Sequence, residues 1–68
     1  MRVVSGKHFC KVLERHGWIL IRIRGSHHVY AMDRSPEIIS IPVHGNQDLK
    51  RGLLRQLMKM AKLTEDDL

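Results

Sequence analysis

The stretch Trp18-Ile19-Leu20-Ile21-Arg22-Ile23-Arg24-Gly25-Ser26-His27-His28-Val29-Tyr30-Ala31-Met32 decides the fold. Before Gly25 its β-branched residues recur at every second position, the period of an extended strand. Ile19, Ile21 and Ile23 fall on one face, and Trp18, Leu20, Arg22 and Arg24 on the other. Gly25-Ser26 has turn chemistry, and a second strand follows from His27 to about Met32. The stretch therefore predicts a hairpin. Alternation sends the side chains of His27 and His28 to opposite faces, so the two imidazoles cannot act as one pair.

Downstream, Asp33-Arg34-Ser35-Pro36 provides another reversal, and a third strand is expected from Glu37 to Val43, with Ile39, Ile41 and Val43 alternating against Ser40 and Pro42. Pro42 lacks an amide hydrogen, which suits an edge or a strand end. Upstream, Phe9, Val12, Leu13 and His16 recur at helical spacing behind Ser5, a natural helix cap, and Gly17 stops the run. Beyond the His44-Gly45-Asn46-Gln47 loop, Asp48 is the expected cap of a second helix. One stripe of it carries Leu49, Leu53, Leu54, Leu57, Met58 and Ala61. Its opposite side holds Arg51, Arg55, Lys59 and Lys62, and Thr64 with Asp67 has the spacing of a capping box. The order α-β-β-β-α reads as an α+β fold. Both apolar helix stripes can bury on one face of a three-stranded antiparallel sheet, leaving the other face available.

A chain of 68 residues has room for one core and one site, so residues 1–68 read as one domain. Twelve Lys and Arg against seven Asp and Glu leave a formal charge of +5, a field that favours a polyanion such as nucleic acid, an anionic membrane or an acidic protein. Cys10 is the only cysteine, so no internal disulfide can form and a reducing compartment fits best. The residues after Met1 have no apolar run resembling a signal peptide, and no stretch approaches a membrane span; the expectation is a cytoplasmic protein with no membrane partner.

Histidine is the residue best suited to move protons near neutral pH, and His27, directly after a glycine turn at a strand start, is well placed to do so. His44, at the end of the third strand, is a possible second acid or base if the sheet brings it near His27, although a loop histidine that only helps a turn is the better account of it. Arg22 and Arg24 lead into the Gly25 turn and are the cations expected nearest His27. Lys50, Arg51, Arg55 and Lys59 are expected to meet phosphates rather than bases. Trp18 and Tyr30 could stack on bases, but Trp18 follows the helix stop and is better suited to packing back on Phe9. No second thiolate and no HExxH-like spacing argue for a metal, and no cofactor is expected.

Gly17-Trp18, Gly25-Ser26-His27-His28-Val29-Tyr30, Ile41-Pro42-Val43-His44-Gly45-Asn46, Leu49-Lys50-Arg51-Gly52 and Leu63-Thr64 together resemble the HicA (YcfA-like) family, in the family's order and over nearly the whole chain. The resemblance implies a fold like that of a double-stranded-RNA-binding domain and a toxin that cleaves messenger RNA, held in check by a HicB-like antitoxin. It places the family's single catalytic histidine on His27. Arg51 stands where many members have proline, Leu53 where many have threonine, and Lys62 where a glycine is common. The alternative function is a non-catalytic RNA-binding module of the same fold.

Overall fold

The computed structural model describes residues 2–68. Helix α1 (Gly6–Arg15) is followed by strands β1 (Ile19–Arg24), β2 (His27–Ala31) and β3 (Ile39–Pro42), helix α2 (Arg51–Ala61) and a short 3-10 turn, Glu65–Asp67. The strands pair antiparallel in the order β1-β2-β3, so the expected α-β-β-β-α layout holds, with both helices on one face of the sheet.

Ser5 caps α1, its hydroxyl oxygen accepting from the His8 amide at 3.0 Å. At the other end Gly17 takes a left-handed φ of 92°. That conformation lets the amides of Gly17 and Trp18 reach back to the carbonyls of Glu14 and Leu13, at 3.3 and 3.0 Å, satisfying groups the helix would otherwise leave bare. The same closure ends α2: the amides of Lys62 and Leu63 bond to the carbonyls of Lys59 and Met58, at 3.2 and 2.9 Å. Here the left-handed residue is Lys62, with φ of 59°. The capping pair after it forms as expected, Asp67 Oδ2 accepting from the amide of Thr64 at 2.7 Å and from its hydroxyl at 3.2 Å.

The core lies between the sheet and the helices. Phe9 and Leu13 of α1, Leu54, Leu57 and Met58 of α2, and Tyr30, Ile39 and Ile41 of the sheet pack into one cluster that also takes in Trp18. Trp18 thus packs where the helix stop places it, as expected. Tyr30, fully buried, donates its hydroxyl to Glu14 Oε2 at 2.6 Å and is not free to stack on a base.

Three expectations need correction. β1 does not alternate through its length: Leu20 pairs with Tyr30 and Arg22 with Val29, so a β-bulge at Ile21 puts two residues of β1 against one of β2. Beyond the bulge the parity reverses. Ile19, Arg22 and Arg24 share the face of Ala31, Val29 and His27, while Leu20 and Ile23 share that of Tyr30 and His28; the three isoleucines do not form one row. Secondly, Asp48 does not cap α2. Asp48 bridges to Ser5 and the Leu49 amide bonds to the Val4 carbonyl at 2.8 Å, which holds these residues extended, so the helix starts only after Lys50. Lys50 caps with no side-chain hydrogen bond. Thirdly, β3 is shorter than Glu37–Val43 and leaves Ile38 exposed before it.

Candidate functional site

Antiparallel pairing sets the histidines of β2 on opposite sides of the sheet. His28 lies opposite Ile41 and Ile23, on the side of the helices, and is half-buried. His27 lies opposite Arg24 on β1 and Pro42 on β3, on the side the helices leave uncovered, and is exposed. Two residues along β2, Val29 repeats the arrangement with Arg22 on one side and Ser40 on the other. These neighbours enclose a shallow groove of about 380 Å³ lined by Arg22, Arg24, His27, Val29 and Ser40. The bulge at Ile21 is what brings both arginines to it: without the extra residue, the parity set by Leu20 would turn them towards the helices.

The groove therefore holds one imidazole, two guanidinium groups and one hydroxyl over an apolar floor, Val29. The guanidinium groups are permanent cations with several donors each, suited to phosphate oxygens. Among the described residues no ion pair holds either arginine. The imidazole sits beside them, exposed to whatever the groove admits. Such a set can bind a phosphodiester and move one proton at it.

The other residues expected to take part do not converge on this groove. His44 lines a separate cleft of about 360 Å³, with Pro42, Gln47, Asp48, Leu49, Lys50 and Leu53. Lys50 shares that cleft with His44. Arg51, Arg55 and Lys59 are exposed on α2, in the layer that covers the opposite face of the sheet from His27, and Arg55 and Lys59 border a further hollow with Leu63 and Thr64. A larger hollow of about 750 Å³ lies between the Asp33–Glu37 turn and the end of α2 and includes Trp18, Met32 and Met60. It has no histidine or cysteine among its lining residues, so it offers no group that exchanges protons readily near neutral pH.

Sequence reasoning missed Val29, Ser40 and Gly6. Val29 and Ser40 could have been found only by pairing β2 with β3 in register, and the bulge hid which residues of β1 share their face. Gly6 matters for position: a Cβ there would collide with the carbonyl oxygen of Pro42, so a residue without a side chain is what lets α1 close down on the end of β3. On the covered side, burial pushes the Cys10 thiol pKa up, and burial together with the bond to Glu14 pushes that of the Tyr30 phenol far above its ordinary value; both groups stay protonated and inert. Among the described residues no three His, Cys, Asp or Glu side chains converge as a metal cage requires, and no helix is long and apolar enough to cross a membrane.

Comparison with known proteins adds an independent finding. No curated protein matches the chain. A family model does, that of the HicA toxin of bacterial toxin-antitoxin systems, over residues 6–63, which spans both helices and all three strands. With all the α-β-β-β-α core inside that match, the chain belongs to the HicA toxin family.

Proposed function

We propose that the protein is a toxin that acts as a metal-independent endoribonuclease on messenger RNA in the cytoplasm, with His27 as its catalytic residue. The observation that carries this reading is the cross-strand placement of His27 beside Arg24, with Arg22 next along, on the sheet face the helices leave open. An RNA strand laid along β2 would set a phosphate between the two arginines and the adjoining ribose at the imidazole. His27 takes the proton from the ribose 2′-hydroxyl. The 2′-oxygen bonds to phosphorus as the bond from phosphorus to the 5′-oxygen breaks, and the leaving oxygen takes up one proton, from the imidazolium or from water. Arg22 and Arg24 neutralise the charge that builds on the phosphoryl oxygens.

One proton-transfer group supports a modest catalyst, since a single positioned acid or base is worth about 10² to 10⁴ in rate. His44, in its own cleft, serves the turn in this reading rather than acting as a second acid or base. Lys50, Arg51, Arg55 and Lys59 contribute to the long-range field that draws RNA in, and Arg22 and Arg24 make the close contacts. A HicB-like antitoxin is the protein partner that the family implies.

The test is cleavage of messenger RNA by purified protein in the presence of a chelator, with His27→Ala alongside. Cleavage by the wild type and its loss in a folded, RNA-binding variant supports the reading. Intact RNA with both proteins, at undiminished affinity, would instead establish the non-catalytic RNA-binding module.

A further inference from the structure

β1 is an edge strand, and it has an unusual surface for one. Ile19, Ile21 and Ile23 are about half exposed or more, at 62%, 49% and 55%, and Leu20 is exposed at 39%. Among the described residues no strand lies beside the backbone groups on its outer side. Edges of this kind are templates for pairing, and proteins that must stay apart blunt them with bulges, prolines or charge. β3, the other edge, is blunted in that way: it is four residues long, ends on Pro42, and buries Ile39 and Ile41. β1 has the bulge at Ile21 and the charges of Arg22 and Arg24, yet four apolar side chains remain in solvent.

Charge says what could cover them. No Asp or Glu lies between Glu14 and Asp33, so the whole hairpin is free of carboxylates. A second copy laid edge to edge would bring no carboxylate to Arg22 and Arg24 and would add its own two arginines to the same edge, and like charges on neighbouring strands repel. A strand with carboxylates opposite Arg22 and Arg24 gains those pairs, and with apolar residues opposite Leu20 and Ile23 it covers the exposed side chains on the other sheet face. Those demands fall on alternating positions of one extended segment that passes the bulge at Ile21 as β2 does. We propose that the free edge of β1 is a docking site for a segment of another protein that alternates apolar residues with carboxylates and joins the sheet as a fourth strand. A toxin of this family has a protein partner, and β1 is the surface fitted to take one.

Such a strand would occupy the same two arginines that line the His27 groove, so docking would displace RNA without covering the imidazole. That consequence rests on the ribonuclease reading. The docking itself does not.

The experiment titrates isotope-labelled protein with synthetic peptides of about eight residues, the length of a long strand, one alternating valine with glutamate and one alternating valine with lysine. The glutamate peptide is expected to slow hydrogen exchange of the outward β1 amides about tenfold and to shift the Arg22 and Arg24 resonances, while the lysine peptide does neither. Ile23→Asp is expected to abolish the response with unchanged circular dichroism. Should that variant not fold, Ile21→Asp at the bulge takes its place. The proposal falls if both peptides act alike, if neither acts at millimolar concentration, or if the β1 amides of the peptide-free protein become protected as its own concentration rises, which would make a second copy the occupant. RNA cleavage is read on the same samples. Docking without cleavage by the wild type would overturn the ribonuclease reading alone, and cleavage without docking would overturn only this one.

Discussion

The two faces of the sheet divide the work of the protein between them. On the covered face Tyr30, Ile39 and Ile41 are fully buried against both helices. On the open face His27, Val29, Ser40 and the two arginines of β1 form a groove whose described lining includes no helix residue. Adjacent residues of one strand thus belong to different environments a few ångströms apart, and what separates them is the pleat alone. The lesson is one of independence: substitutions of the exposed side chains on the open face, His27 and the two arginines, should change chemistry and leave stability alone, and substitutions in the covering layer should do the reverse.

The strongest test of that independence is His27→Ala. It removes the only imidazole in the groove and should lower RNA cleavage by about 10² to 10⁴, or roughly 3–5 kcal/mol of transition-state stabilisation. Because His27 is exposed, the melting temperature should stay close to that of the wild type. A variant that lost activity by unfolding would break the comparison. Gly6→Ala is its mirror image. The new methyl group collides with the Pro42 carbonyl, so α1 must lift from the end of β3, at a cost of roughly 2–3 kcal/mol, a large share of the stability of so small a chain. Chemical denaturation measures it; wild-type stability would show that α1 can shift without loss.

The covered face was largely legible in the sequence, and the open face was not. Phe9, Leu13, Leu54 and Leu57 recur at helical spacing whatever surrounds them, and Ile39 and Ile41 alternate with Ser40 and Pro42; local period alone assigns them to the core, whereas Tyr30, a stacking candidate by its chemistry, is placed there only by the strand pairing. β1 has the same strong alternation and misleads, because one extra residue at Ile21 reverses every side chain after it. Nothing in Trp18–Arg24 marks that bulge, since it arises from pairing with β2 and carries no glycine of its own. The start of α2 failed for a similar reason: Asp48 has the chemistry of a cap, but a backbone bridge to a residue far away in the chain holds it extended. His27, by contrast, was found from its motif, and its face only from the register.

Tyr30 gives a smaller effect on the same covered face. Its phenol is the only one in the chain, so its ionisation can be followed directly by ultraviolet absorbance. Burial first, and the hydrogen bond to Glu14 second, raise its pKa far above the ordinary value near 10. A raised folded pKa contributes stability that is complete below the unfolded value and is lost as the pH climbs above it. The phenolate should therefore emerge together with loss of helical circular dichroism in strong alkali. A phenolate titrating near pH 10 in a folded protein would show that Tyr30 is not sealed beneath the helices. Tyr30→Phe should cost about 1 kcal/mol, since Glu14 is exposed and recovers hydration once the bond is gone.

The smallest effect lies within the covering layer, where α1 and α2 end in the same backbone closure on different residues. Gly17 adopts its left-handed conformation without steric cost, whereas Lys62 must hold a Cβ close to a carbonyl in the same region of φ. Lys62→Gly should therefore stabilise the protein by about 0.5–1 kcal/mol, the relief of that crowding less the extra freedom glycine gains in the unfolded chain. Gly17→Ala should cost about 1 kcal/mol, because its methyl meets only the flexible Met32 sulfur, at an ordinary 3.5 Å, and the strain is that of the backbone. For a chain of this size each kcal/mol moves the melting temperature by about 4–8 °C, so the pair of variants should separate cleanly in a thermal scan. Equal melting temperatures would mean that the turn after α2 opens before the core does, and that the covering layer does not melt as one unit.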